Sequence, residues 1–246
     1  MPETPRVVVV GGGPAGLTAA TYTARHDVET TVLNAPEPIL RRNAHLENVP
    51  GFPAGVNSRL FLDMLEDQVE RAGAVREEAE VTAVARDDES GVFTLETAGG
   101  DAYEADVVVA ATKSNPDYLD GLDIDRLQHG SKVHVDVDDR GRTGVPGLYV
   151  AGRLAGKPHQ AVVALGHGGE VGVTILEDAD VPFYHDWVAP EGYFTGRGRD
   201  VPPGCEEIDE GERREREAES REVMREYFAE PHPEEPTQHP SVEDDD

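Results

Sequence analysis

The sequence predicts an α/β protein with a central parallel sheet in three layers and a small β-meander, and three observations carry that prediction. Val7 to Val10 and Val107 to Val109 are unbroken runs of β-branched residues, the mark of strands buried on both faces. The first run leads into a glycine-rich turn, a helical stretch and a second β-forming segment, the order of a βαβ unit. A third buried-type segment, Leu148 to Gly152, closes the sheet.

The elements follow in order. A strand at Arg6–Val10 ends in a tight turn and opens a helix, and a second strand lies at Thr30–Leu33. Val7 to Ala24 carries no charge, yet Gly11, Gly12, Gly13, Pro14 and Gly16 break it too often for a signal peptide or membrane span. Beyond the Pro/Gly segment Asn48 to Pro53, Leu60, Met64, Leu65, Val69 and Ala72 recur at helical spacing. Glu80–Arg86, Gly91–Thr97 and Tyr103–Ala111 read as strands between turn residues, forming the meander and returning to the sheet. Asp117 to Asp139 is an acidic connection with a short strand at Lys132–Val137, and Ala161–Leu176 is a Gly/Ala-rich helix. No internal repeat is present.

Charge narrows the classes. The 246 residues hold 50 acidic against 22 basic side chains, a net charge of −28, and only three of the bases are lysine (Lys113, Lys132, Lys157). Such a surface repels phosphate backbones and anionic lipid, so neither nucleic acid nor membrane is expected as a partner. Acid-rich, lysine-poor composition suits a protein kept dispersed in concentrated salt, pointing to a halophilic archaeon and a cytoplasmic location. The single Cys205 excludes an intramolecular disulfide, a Cys-x-x-Cys redox pair and a Cys-rich metal site, and the nine histidines show no metal spacing. No nucleophile–base pair or carboxylate pair stands out, so no catalytic residue is assigned. His159 and His167 read as a helix-start and a packing histidine.

The one chemical motif is Gly11-Gly12-Gly13-Pro14-Ala15-Gly16, a G-x-G-x-x-G turn between a buried strand and a helix. Gly11 makes the turn, Gly13 lets the backbone approach a pyrophosphate, and Gly16 lets helix and strand pack closely, while the helix N-terminus offers N–H groups to the anion. The second strand ends not in the usual acid but in Asn34, which can bond a ribose hydroxyl without a full charge. Glu37 lies three residues on.

These residues, with Asn48-Val49-Pro50-Gly51-Phe52, Ala110-Ala111-Thr112, Val145 to Gly152 and His159-Gln160-Ala161, resemble the FAD domain of the thioredoxin reductase family, within the pyridine nucleotide-disulphide oxidoreductases. The resemblance covers roughly Val7 to Leu176. It implies a Rossmann-like FAD/NAD(P)-binding fold and FAD as cofactor. Its contacts would be Gly11, Gly13, Pro14, Ala15, Gly16 and Asn34, then Asn48 and the backbone of Val81. Ala111, Thr112, Gly152, Arg153, Gln160 and Ala161 complete that set, the last two at the helix start facing the flavin pyrimidine. The departures count equally. Ser114 to Gly144 replaces the family's NADPH domain, so a complete reductase is not expected. The family's Ala-Thr-Gly reads Ala111-Thr112-Lys113, and its Gly-Asp reads Gly152-Arg153. Either Lys113 and Arg153 neutralise the FAD pyrophosphate in an altered site, or the site has decayed and the fold persists as a scaffold.

Three divisions are expected: residues 1–176 as the FAD-binding domain, 177–230 as an aromatic and helical extension packing on the body or a dimer partner, and 231–246 as a disordered acidic tail. Residues 177–246 hold 23 acidic and 7 basic side chains with seven of the fourteen aromatics, and pure disorder is aromatic-poor. The expected function is that of a homodimeric, single-domain FAD-dependent oxidoreductase exchanging electrons with a separate partner protein. The alternative is a non-catalytic dinucleotide-binding or scaffold protein with a degenerate FAD site; an NAD(P)-binding enzyme ranks third.

Overall fold

In the computed structural model, which describes residues 4–238 except Pro36 and Ser131, the four valines of strand β1 (Val7–Val10) are buried along their whole length. They lie at the centre of a five-stranded parallel sheet ordered β10-β7-β1-β2-β3, with β2 at Thr30–Leu33, β3 at Val75–Glu77, β7 at Val107–Ala110 and β10 at Leu148–Val150. Parallel pairing requires crossovers. The first is helix α1 (Pro14–Ala24), and the second includes helix α2 (Ser58–Arg71), whose N-terminus is capped by the Asn57 side chain.

Alternation along the strands sorts the two faces. Val8 and Val10 enter a core with Val84, Phe93 and Leu95 of an antiparallel meander, β4 (Val81–Arg86), β5 (Phe93–Thr97) and β6 (Ala102–Ala105). Val9 faces α1 instead, its Cγ1 standing 3.1 Å from where a Cβ on Gly16 would be. Helices, sheet and meander are thus the three layers expected. Helix α3 (Ala161–Asp178) lies close on α1, and its glycines explain the contact. A Cβ on Gly168 would stand 2.1 Å from the Ala15 carbonyl oxygen.

Two features differ from those the sequence suggests. The segment Tyr103–Ala111 is not one strand but two, β6 in the meander and β7 in the parallel sheet. The break is Asp106, whose carboxylate accepts the Arg6 backbone N–H at 2.8 Å and the Arg6 guanidinium at 3.2 and 3.3 Å. The Arg6 hydrogen bonds hold the Asp106 carboxyl below its usual range. Strand β8 (Arg126–His129) escaped notice because all four residues are exposed; it pairs as a hairpin with β9 (Lys132–Val135). Apart from the 3-10 turn Asp117–Leu119, this hairpin is the regular structure described between β7 and β10.

The described residues up to Ile175, with Glu234 to Gln238, form one compact unit, and residues 176–233 form another. In the second unit β11 (Trp187–Pro190) pairs in parallel with β12 (Cys205–Ile208). The Glu207 carboxylate gathers the N–H groups of Gly192, Phe194 and Thr195 and the Thr195 hydroxyl, and Trp187 meets the Tyr193 ring at 4.7 Å. Helix α4 (Glu210–Tyr227) buries no residue. Its Asp209 cap accepts the Glu212 N–H at 2.8 Å, and pairs such as Arg213–Glu217 run along its face. Of the expected disordered end, 231–246, residues 239–246 lie outside the described residues, and residues 231–238 carry no helix or strand. No helix of the described residues is long and apolar enough to cross a membrane.

Candidate functional site

The sheet delivers the loops after β10, β7, β1 and β2 side by side at its carboxyl edge, where open α/β sheets place their ligands. After β1, Gly11 donates its N–H to the Leu33 carbonyl at 2.8 Å and adopts φ +113°. A Cβ there would stand 2.7 Å from the Ala111 carbonyl oxygen, so both conformation and space demand glycine. Gly16 is required by contact alone, since its Cβ would lie 2.0 Å from the Gly11 carbonyl oxygen. Gly13 differs: nothing lies within 4 Å of its Cβ position. It is also the N-cap of α1 and makes no side-chain capping bond, while Pro14, which has no N–H to leave unpaired, opens the helix. Open space, a bare backbone and an uncapped helix start make a cradle that fits a pyrophosphate. This is the observation by which the residues present fit the phosphate portion of FAD.

The remaining sequence-predicted residues surround that cradle unevenly. The Asn34 side chain accepts the Gly12 N–H at 2.9 Å, so it braces the glycine loop itself. Asn48 donates to Gln160 at 2.8 Å, joining the loop before α2 to the start of α3 at an exposed position. Ala161 begins α3 and packs with Leu46 and Phe61. Val81 opens β4 with its side chain in the core that also contains Leu33. Ala111 continues β7 by donating to the Val10 carbonyl at 2.8 Å, and the Thr112 hydroxyl bonds the Asn115 carbonyl at 2.7 Å. Gly152 sits at φ +69°, its Cβ position 2.8 Å from the Ala15 Cβ, which brings the Arg153 loop onto the first turn of α1.

Lys113, a non-glycine residue in the left-handed region at φ +64°, follows Thr112. Burial and then the charges of Arg153, Arg42 and Lys132 push its ammonium below the ordinary lysine range. Burial, Arg153, Lys113 and Lys132 lower the His159 ring in the same way. Sequence reasoning missed Arg42 and Lys132. The available signal was the rarity of lysine, because two of the three lysines act on this one place. The third, Lys157, acts on His167.

His167 is buried, at 4% exposure, and its Nδ1 accepts the Gly152 N–H at 2.9 Å. Accepting at Nδ1 leaves the proton of the neutral ring on Nε2, which is buried and has no partner. Burial and Lys157 bring its pKa down to about 4. The residue assigned from sequence to packing therefore also holds the loop that carries Arg153. A shallow groove of about 560 Å³ lies apart from these loops, between α1 and α3, lined by Thr18, Tyr22, Arg140, Leu165 and Glu170, and contains none of the predicted contacts. Among the described residues no cluster of His, Cys, Asp and Glu could hold a metal ion.

Residues 59–168 match the family described as pyridine nucleotide-disulphide oxidoreductase. The chain is similar to thioredoxin reductases of Rickettsia typhi (31% identity over 121 residues, 48% of this chain and 38% of the relative) and Streptomyces coelicolor (34% over 118 residues, 46% and 36%). It thus spans well under half the length of these curated relatives. Among solved structures, a thioredoxin reductase from Gloeobacter violaceus aligns with a TM-score of 0.64 at 19% identity, covering 72% of this chain and 95% of that one. An oxidoreductase from Agrobacterium tumefaciens aligns with a TM-score of 0.65 at 14% identity, covering 74% and 100%. At these identities the structural matches establish the fold alone.

Proposed function

We propose that this chain, whose body is a thioredoxin reductase-like FAD-binding-type domain, is a flavoprotein oxidoreductase that exchanges electrons with a separate partner protein. The open glycine cradle on the α1 N-terminus carries the proposal. Bound FAD would supply two-electron redox chemistry. The chain's own residues would do the rest. The first turn of α1 holds the pyrophosphate, and Asn34 keeps the glycine loop in shape. Asn48 and Gln160 fix the entrance to α3, whose N-terminus favours negative charge on a reduced cofactor. The hairpin between β7 and β10 leaves few residues for a second nucleotide domain, which supports an external electron source. A cytoplasmic homodimer remains part of the proposal.

Lys113 and Arg153, standing where the family pattern has glycine and aspartate, favour a second reading, a dinucleotide-binding scaffold without turnover. The purified chain decides between them. Flavin absorbance that NADPH or NADH alone does not bleach supports the first reading. A colourless chain that FAD cannot reconstitute supports the second. Bleaching by either nucleotide alone removes the need for a partner protein.

A further inference from the structure

Four cations of the sheet edge come from separate stretches of chain. Arg42 ends the 3-10 turn Ile39–Arg42, Lys113 follows β7, Lys132 opens β9 and Arg153 follows β10. Topology gathers them. β7 and β10 are neighbours with Val150 opposite Ala110, so the loops bearing Lys113 and Arg153 leave the sheet side by side. The His134 ring bonds the Arg153 carbonyl at 2.9 Å, which ties the hairpin of Lys132 to the same loop. Arg42 and Lys132 both stand near enough to act on Lys113.

None of the four forms an ion pair with a carboxylate among the described residues, in a chain with 50 acidic side chains. Other bases of the same unit do pair: Arg41 with Asp63 and Glu66, Arg76 with Glu66 and Glu70, Arg126 with Asp120. Like charges gathered without counter-charges raise the energy of the folded chain, and such arrangements concentrate where a ligand offsets them.

We propose that Arg42, Lys113, Lys132 and Arg153 form an anion site beside the glycine cradle that takes the phosphomonoester group of a small molecule. The charge balance leads to this ligand. A dinucleotide pyrophosphate in the cradle is dianionic and already faces the partial positive charge of α1, about half a unit. Four cations exceed what that dianion neutralises, and a phosphomonoester, at about −1.5 to −2, matches the surplus. Two guanidinium forks and two ammonium groups are the donor set that suits phosphate oxygens. The site rests on the dinucleotide reading only in taking the cradle as the place of the first anion.

The test is calorimetric titration of the full chain, at the lowest salt that keeps it folded by circular dichroism. The probes are inorganic phosphate and phenyl phosphate with phenol as the uncharged control, each with and without saturating FAD. Expected is one-to-one binding of phenyl phosphate but not phenol, weakening as salt rises. Lys132→Gln and Arg153→Gln should each weaken it at least about tenfold, the loss of a charge-assisted hydrogen bond. Lys132→Gln should leave FAD affinity within about twofold. Phosphate binding that persists in a chain unable to bind FAD supports the anion site while removing the flavin reading. The proposal is overturned if neither phosphate binds, if both variants bind as the native chain does, or if FAD displaces the phosphate. The last result would assign the cations to the pyrophosphate. Binding of inorganic phosphate without phenyl phosphate overturns the monoester assignment.

Discussion

Replacing His167 by leucine tests the hold on the Gly152 loop and gives a pH signature that packing alone cannot give. In the folded chain the ring is neutral, with its pKa near 4 rather than 6.5, and Nδ1 accepts the Gly152 N–H at 2.9 Å. A histidine with a lowered folded-state pKa contributes stability that is fully present above about pH 6.5. That stability drains away as pH falls towards 4, where the unfolded chain takes up a proton the folded chain refuses. At about 1.36 kcal/mol per pH unit, the interval from 6.5 to about 4 corresponds to ~3 kcal/mol. Leucine cannot titrate, but it leaves the Gly152 N–H without an acceptor, at a cost of about 1–3 kcal/mol. Urea unfolding of both proteins at matched salt, from pH 7.5 to 4, should show His167→Leu less stable at pH 7.5. The gap should close or reverse by pH 4 as the native chain loses the titrating contribution. Taking the difference between the two proteins cancels the carboxylates they share. A difference that stays constant across the range would refute the assignment of a neutral, accepting His167.

Four further substitutions check other parts of the structure. Gly16→Ala places a Cβ 2.0 Å from the Gly11 carbonyl oxygen, so α1 must lift from β1. A loss of about 3 kcal/mol and a fall of ~10 °C in Tm are expected. Gly13→Ala meets nothing within 4 Å, so Tm should hold while FAD titration shows lost affinity; a destabilised Gly13→Ala would contradict the open cradle. Lys113→Gly relieves a left-handed residue at φ +64° and should stabilise the chain by about 0.5–1 kcal/mol in urea unfolding, whereas a loss would mean the lysine makes a contact that outweighs the strain. Glu207 is held at about 2 despite opposing desolvation, through hydrogen bonds from Thr195, Phe194 and Gly192. Trp187 emission in the native chain should therefore stay constant from pH 7 to above 4.5 and change only as the pH falls through 2. Glu207→Ala should already show the changed emission at neutral pH, and an unaltered spectrum would show that the carboxylate does not order the aromatic cluster.

Much of this fold was legible because its signals are local. Four consecutive valines can only be satisfied between two layers, and the glycine spacing states where the chain turns and where a helix must pack close. The β6/β7 division was not legible, since an apolar run hides a change of sheet that the Asp106–Arg6 pairing imposes across a separation of 100 residues. The polar hairpin strand β8 was equally silent, because exposed strands are held by backbone bonds rather than by apolar periodicity.

The sequence by itself determined the parallel α/β core, the glycine cradle and the departures at Asn34, Lys113 and Arg153, since each is written in contiguous residues. Only the tertiary structure decided what those departures face. Asn34 turned inward to the Gly12 N–H, and His167 took the Gly152 N–H. Arg42 and Lys132, far apart in the chain, arrived beside Lys113 and Arg153. The reason is physical: backbone preference and hydrophobic period act over a few residues, whereas charge acts through space, and only folding sets which charges become neighbours.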